Sequence, residues 1–190
     1  MPIQNQTLET PCISHRSLSL FGGLIASFML APAVFAADNP GTHEHGQAQL
    51  QMALENSNIE LMFSSPAYNL AGFEHEARTD EQKKMLADIR QWLETTPLVN
   101  NGAGACRVAG VTVQLGDEGG SHNHHEEETH RDYAVAQQLT CEGMAVGDTF
   151  STPLPARFPE LEALAVEWVG PSGQGSRMIT GPGQSFKLSQ

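Results

Sequence analysis

Gln47-Ala-Gln-Leu-Gln-Met-Ala-Leu-Glu55 alternates without a break: Ala48, Leu50, Met52 and Leu54 fall on one side, and mostly polar residues on the other. Side chains of an extended chain alternate between two faces, so the pattern reads as a strand buried on one face only. Asn56-Ser57-Asn58 is a turn signal, and Ile59 to Ser64 reads as the returning strand. This hairpin is the seed of a sheet.

Beyond it, Ser65 to Arg78 reads as a loop containing Pro66 and Gly72. Thr79 opens a helix, with Gln82 three residues on to complete a capping box. Met85, Leu86, Ile89, Trp92 and Leu93 form its apolar stripe, and Pro97 marks its end. The stripe, Trp92 included, reads as core. Ala105 to Leu115 is a strand with Cys106 and Val108 inward and Val111 and Val113 as further inward candidates. Asp132 to Cys141 is another. Thr149 to Leu154 reads as a short edge strand limited by Pro153 and Pro155. Pro159 to Leu164 reads as a helical turn, Ala165 to Val169 as a buried strand, and Arg177 to Thr180 and Ser185 to Leu188 as two short strands. Strands with one clear helix and no βαβ alternation predict an α+β fold. It is a single domain of mainly antiparallel sheet with one principal helix and a disordered His-rich loop.

Upstream, Leu18 to Ala36 is almost all apolar or small and ends in Ala33-Val34-Phe35-Ala36, the form of a secretory signal peptide cut after Ala36. Its basic leader is only Arg16, and the rival reading is an uncleaved membrane anchor. Pro32 and the Val-Phe-Ala ending favour cleavage. Residues 1–36 are therefore expected to be removed, leaving a periplasmic domain of residues 37–190. Within it, 117–130 is a mobile His/Glu-rich loop. The remaining chain keeps a net charge of −12, because residues 1–36 hold one Lys/Arg and one Asp/Glu. Such a chain repels phosphate backbones and anionic lipid and attracts cations. Nucleic acid is not an expected partner, nor is the membrane after cleavage. Cys12 precedes the apolar run and is lost with it. Cys106 and Cys141 remain, and two cysteines in an oxidising compartment are expected to pair, two buried free thiols being the alternative.

Seven of the eight histidines survive cleavage, and they cluster. His43 and His45 stand just before the first strand. His75 lies in the loop before the helix, with Glu74 and Glu76 beside it. His122, His124, His125 and His130 fall within nine residues, interleaved with Glu126, Glu127 and Glu128. Imidazole is the usual nitrogen ligand of zinc, copper and nickel, and carboxylates can complete the shell. Side chains at i and i+2 of an extended chain point the same way, so His43 and His45 would lie side by side. His75 is the natural third ligand, with Glu74 or Glu76 next to it. The loop from His122 to His130 has no apolar residue to pin it and should bind ions in several overlapping ways. The bland alternatives are an idle leader at His43-Glu-His45, a surface His75 and a merely solvated Glu face, to which Glu160 and Glu162 are assigned.

At these residues the chain resembles the ZrgA family of zinc-regulated, zinc-binding periplasmic proteins. The resemblance runs through His43-Glu-His-Gly-Gln-Ala-Gln-Leu50 and Ser65-Pro-Ala-Tyr-Asn-Leu-Ala-Gly-Phe-Glu-His75, then Cys106, the His-rich loop, Arg131-Asp-Tyr133 and Cys141. It closes with Phe158-Pro-Glu-Leu161 and Gly170-Pro-Ser-Gly-Gln174. The loop here has four histidines and a Glu tract, where relatives often have a longer one denser in His and Asp. The resemblance implies a periplasmic zinc-binding protein, not an enzyme, that assists uptake and works with a zinc-import transporter or its binding protein. Two other classes stay open: a zinc-dependent hydrolase or hydratase with a three-His site, and a copper or nickel buffer.

Overall fold

The computed structural model describes residues 44–102, 106–117, 130–145 and 147–188. The expected signal segment, His43, and His122, His124 and His125 of the loop lie outside them.

Strand β1 (Gln47–Glu55) and strand β2 (Asn58–Pro66) form the expected hairpin. Ala48, Leu50, Met52 and Leu54 are all buried, facing Ile59, Leu61 and Phe63 on the same side. Asn56 turns the corner with a positive φ of 54°, a conformation Asn tolerates better than other side chains that carry a Cβ.

The segment Ser65 to Arg78 departs from the expected loop. Strand β2 runs on to Pro66, and helix α1 (Ala67–Ala71) follows at once. Ala67, Leu70 and Ala71 are buried, and Pro66 and Gly72 bound the helix as its caps, Gly72 in the left-handed conformation. Helix α2 (Asp80–Thr95) begins as read. The Thr79 hydroxyl accepts from the Gln82 N–H, and the Gln82 side chain accepts from the Thr79 N–H. Ile89 and Leu93 are buried and Leu86 and Trp92 pack against the core, but Met85 is 45% exposed and lies off the buried stripe.

The short strand β3 (Asn100–Asn101) follows, and after it the long β4 (Cys106–Asp117). Strand β5 (Arg131–Cys141) pairs antiparallel with both β4 and β2. A register shift between Val108 and Gly110 switches which β4 residues face inward, so Cys106 and Val113 are buried although they differ in parity. Val111 stays 37% exposed, because β4 is the edge of the sheet. The buried Gln137 of β5 reaches the end of α2. Its amide nitrogen, Nε2, donates to the carbonyls of Leu93 (2.7 Å) and Thr96 (2.9 Å), and its Oε1 accepts from the Leu98 N–H (3.0 Å). It thereby satisfies carbonyls that a helix end leaves without intrahelical partners.

The rest of the chain is β6 (Thr149–Ser151), α3 (Leu154–Arg157), β7 (Ala163–Gly170), β8 (Gly173–Ile179) and β9 (Ser185–Lys187). The helical turn thus falls before Pro159, and β7 starts where a turn was expected. Strand β6 is the middle of a small sheet, β3-β6-β9, and not an edge. Strand β7 alternates instead of being buried on both faces, with Leu164 and Val166 inward and Glu167 and Val169 exposed. The six-stranded sheet runs β4-β5-β2-β1-β7-β8. All its neighbours are antiparallel except β1 and β7, which are parallel. The fold is α+β as expected, with a mixed sheet. Trp168 crosses β8 at Gly175, where an added Cβ would stand 2.4 Å from the indole, and stacks on Phe186 of the small sheet.

Cys106 and Cys141 sit directly opposite each other on β4 and β5 and form a disulfide, closing a separation of 35 residues. Replacing either with Ser should lower stability by about 2–5 kcal/mol in urea unfolding, the usual cost of a native bridge. An unchanged midpoint would mean the ladder alone holds these strands. A second expectation concerns Tyr133, whose side chain is 1% exposed and whose hydroxyl has no hydrogen-bond partner among the described residues. Burial pushes the phenol up to about 12, partly offset by Arg131 and Arg90. The folded protein then keeps its proton where the unfolded chain, at the ordinary value of 10.0, has lost it. That stabilisation is complete below pH 10 and is lost as pH rises toward 12. Tyr133→Phe should abolish this alkaline loss, read from thermal melts across pH 9–12, without destabilising the protein at neutral pH.

Candidate metal centre

The turn Glu44 to Gly46 leads into β1, and its geometry comes from what surrounds Gly46. Gly46 has a φ of +85°, and a Cβ there would meet the Glu162 side chain at 3.3 Å. Its carbonyl accepts from the N–H groups of Glu162 (2.9 Å) and Ala163 (2.8 Å), where β7 begins. The left-handed backbone favours glycine. Glu162, read from sequence as solvated face, therefore covers the turn next to His45.

Helix α1 builds the other wall. The Tyr68 ring stacks on His45 with centroids 4.4 Å apart and planes 15° off parallel. The helix ends at Gly72, and the chain then passes Phe73 to Glu74. Here the candidate residues meet. Nε2 of His45 lies 3.1 Å from Glu74 Oε1, and Nδ1 of His130 lies 2.6 Å from Glu74 Oε2. The two histidines come from 29 residues before and 56 residues after the carboxylate. Both imidazoles are about half exposed, at 53% and 50%, while the Glu74 side chain is only 12% exposed. The acid is thus the fixed element and the rings are its accessible partners. An ionised carboxylate only accepts, so neutral rings donate from the nitrogens that face it: Nε2–H in His45 and Nδ1–H in His130.

The other candidates are placed differently. The His75 Nδ1 lies 2.8 Å from the Glu76 carbonyl, and its ring stacks on Phe73 at 5.0 Å. Its contacts are local, whereas the sequence reading made it the third partner of His45. Glu74, not Glu76, is the carboxylate turned to His45. His130, grouped in the sequence with the loop, stands one residue before β5 and reaches the ordered wall. Among the described residues, no group of three or more His, Cys, Asp or Glu is already arranged as a metal cage. His45, Glu74 and His130 are joined through two carboxylate oxygens and not aimed at one point. Reading the sequence missed Tyr68 and Asn69. Their one signal was that they fall inside the Ser65 to His75 string that carries the family resemblance.

A family model described as ZrgA family zinc uptake protein matches residues 42–188, and the chain belongs to that family. No curated protein matches the chain. The family is described by zinc uptake and not by catalysis. No described helix is long and apolar enough to cross a membrane.

The tautomers give a direct check. Long-range proton–nitrogen NMR spectra of the metal-free protein at pH 8 should show His45 protonated on Nε2 and His130 on Nδ1. Glu74→Ala should remove the preference of His130 for Nδ1–H, because the carboxylate that faces this nitrogen is gone. Persistence of that tautomer in the variant would mean another acceptor holds the ring.

Proposed function

We propose that this ZrgA-family protein is exported, loses residues 1–36, and serves in the periplasm as a non-catalytic collector of zinc for an importer. The observation that carries the reading is the meeting of two imidazoles from distant parts of the chain on one largely buried carboxylate. Ligand atoms of a tetrahedral zinc ion, each about 2.0–2.2 Å from it, stand about 3.3–3.6 Å apart. The contacts at 3.1 and 2.6 Å are hydrogen bonds to the two oxygens of Glu74, so zinc would displace those protons and draw both nitrogens toward one ion. His45, His130 and Glu74 are therefore the proposed core of an ordered site, with His43 two residues upstream as a further nitrogen ligand. His75 and the loop residues His122, His124 and His125 are proposed as weaker, additional ligands. The loop must order itself around each ion and so should bind less tightly.

The donor chemistry suits cargo that is handed on. Thiolates hold zinc hardest, and both mature cysteines are consumed in a disulfide. Nitrogen and carboxylate ligands on an accessible rim favour reversible capture. A net charge of −12 raises the local cation concentration around it.

Calorimetric titration of the mature protein with zinc, copper and nickel tests the reading. Replacing His45, Glu74 and His130 together with Ala should abolish the tightest zinc event and leave loop binding. Deleting residues 118–129 should reduce the number of ions and spare the tightest one. Binding should weaken as pH falls through roughly 6.5, since protons compete for imidazole. If the loop deletion removes all zinc binding, the ordered site is not the working part. A strong preference for copper or nickel, with deletion strains sensitive to those metals and not to zinc starvation, would point to buffering instead.

A further inference from the structure

We propose that Asn69, with Tyr68 beside it, is a positioning residue for metal capture at His45; the proposal rests on the reading of His45 as a ligand. Asn69 is 1% exposed, and a buried side-chain amide is costly unless each polar group is partnered. Its three hydrogen bonds all fall around the site. Oδ1 accepts from the Gly46 N–H at 2.7 Å. Nδ2 donates to the Gln47 carbonyl at 2.7 Å and to the Ser65 hydroxyl at 3.1 Å. One amide thus ties the two residues that follow His45 to the end of β2.

The same helix turn acts on the ring itself. Tyr68 stacks on His45, so the imidazole is held from its face while Asn69 holds the backbone of the two residues after it. Since α1 ends three residues before Glu74, a single five-residue helix sets both the His45 side and the carboxylate side of the pair. A ligand held in place before the metal arrives loses less freedom on binding, and residues that orient metal ligands are each worth about 10–100-fold in affinity. The chemistry requires Asn at this position. Asp would present an oxygen to the Gln47 carbonyl, acceptor against acceptor. Ala would leave the Gly46 N–H and the Gln47 carbonyl without these bonds.

The test is a double-mutant cycle on the full mature protein, read as zinc affinity by competition with a chromophoric chelator. Asn69→Asp should weaken the tightest zinc event by about 10–100-fold. Added to His45→Ala, it should weaken it no further, because there is then no ligand to position. Far-UV circular dichroism of the metal-free variants reports whether the fold survives. If Asn69→Asp unfolds the protein, Tyr68→Ala takes its place, since that ring is only half-buried; it too should weaken zinc in the parent and not in the His45→Ala background. If His45→Ala leaves affinity intact, the ligand reading itself fails, and the proposal with it. If His45→Ala weakens zinc but the Asn69 or Tyr68 variant does not, or weakens it equally in both backgrounds, the site stands and the positioning role is wrong.

Discussion

The burial of one face of β1 is the constraint on which the structure depends. The strand is hydrogen-bonded on both edges, antiparallel to β2 and parallel to β7. Ala48, Leu50, Met52 and Leu54 must all face the core. A slip of one residue would turn every one of them to solvent and bring Gln47, Gln49 and Gln51 inside, so the register is strongly fixed. Because β1 is central, its register propagates to both halves of the sheet. It also determines where the chain enters the fold. Gly46 and His45 sit at the mouth of β1, and they are placed once the strand is.

A second constraint is polar. Three buried amide side chains could have weakened the core, yet each is turned to use. Gln137 closes the end of α2, Asn69 holds the entry to β1, and the buried Asn101 donates to the Glu142 carbonyl. A buried polar group without partners costs about 1–3 kcal/mol, so such residues fix geometry more narrowly than apolar ones of the same size. In this protein that narrowness falls where α2 ends and where the proposed site begins. The apolar core supplies the driving force, and these amides decide which arrangement of loops is accepted.

The disulfide belongs to the same logic. Cys106 and Cys141 close the far end of the β4–β5 ladder from the side where His130 enters β5. The ladder runs on to the pairing of Asp117 with Arg131, so the base of the polar segment is set by paired backbone and not by the segment itself. A long hydrophilic insertion at that point adds little to the entropy cost of closing the hairpin, since the cost grows only slowly with loop length. His130 is therefore placed by the sheet even though its neighbours in sequence carry no apolar anchor.

What the sequence determined by itself follows from period and chemistry. The alternation of Gln47 to Glu55, the Thr79–Gln82 cap and the apolar stripe of α2 are local patterns with one good structural solution each. The His and Glu clusters likewise pointed to metal chemistry before any fold was known. Tertiary structure decided the rest. Helix α1 is five residues long, too short to form alone, and exists because the core accepts Ala67, Leu70 and Ala71. The parallel pairing of β1 with β7 joins segments more than a hundred residues apart, and no local pattern encodes it. The same is true of the site. Sequence reasoning offered His75 as a third ligand beside His43 and His45 and left His130 to the loop, whereas packing turned His75 onto Phe73 and brought His130 to Glu74. Which side chains meet is set by where strands end and how the chain leaves them, and that is fixed only when the whole sheet is assembled.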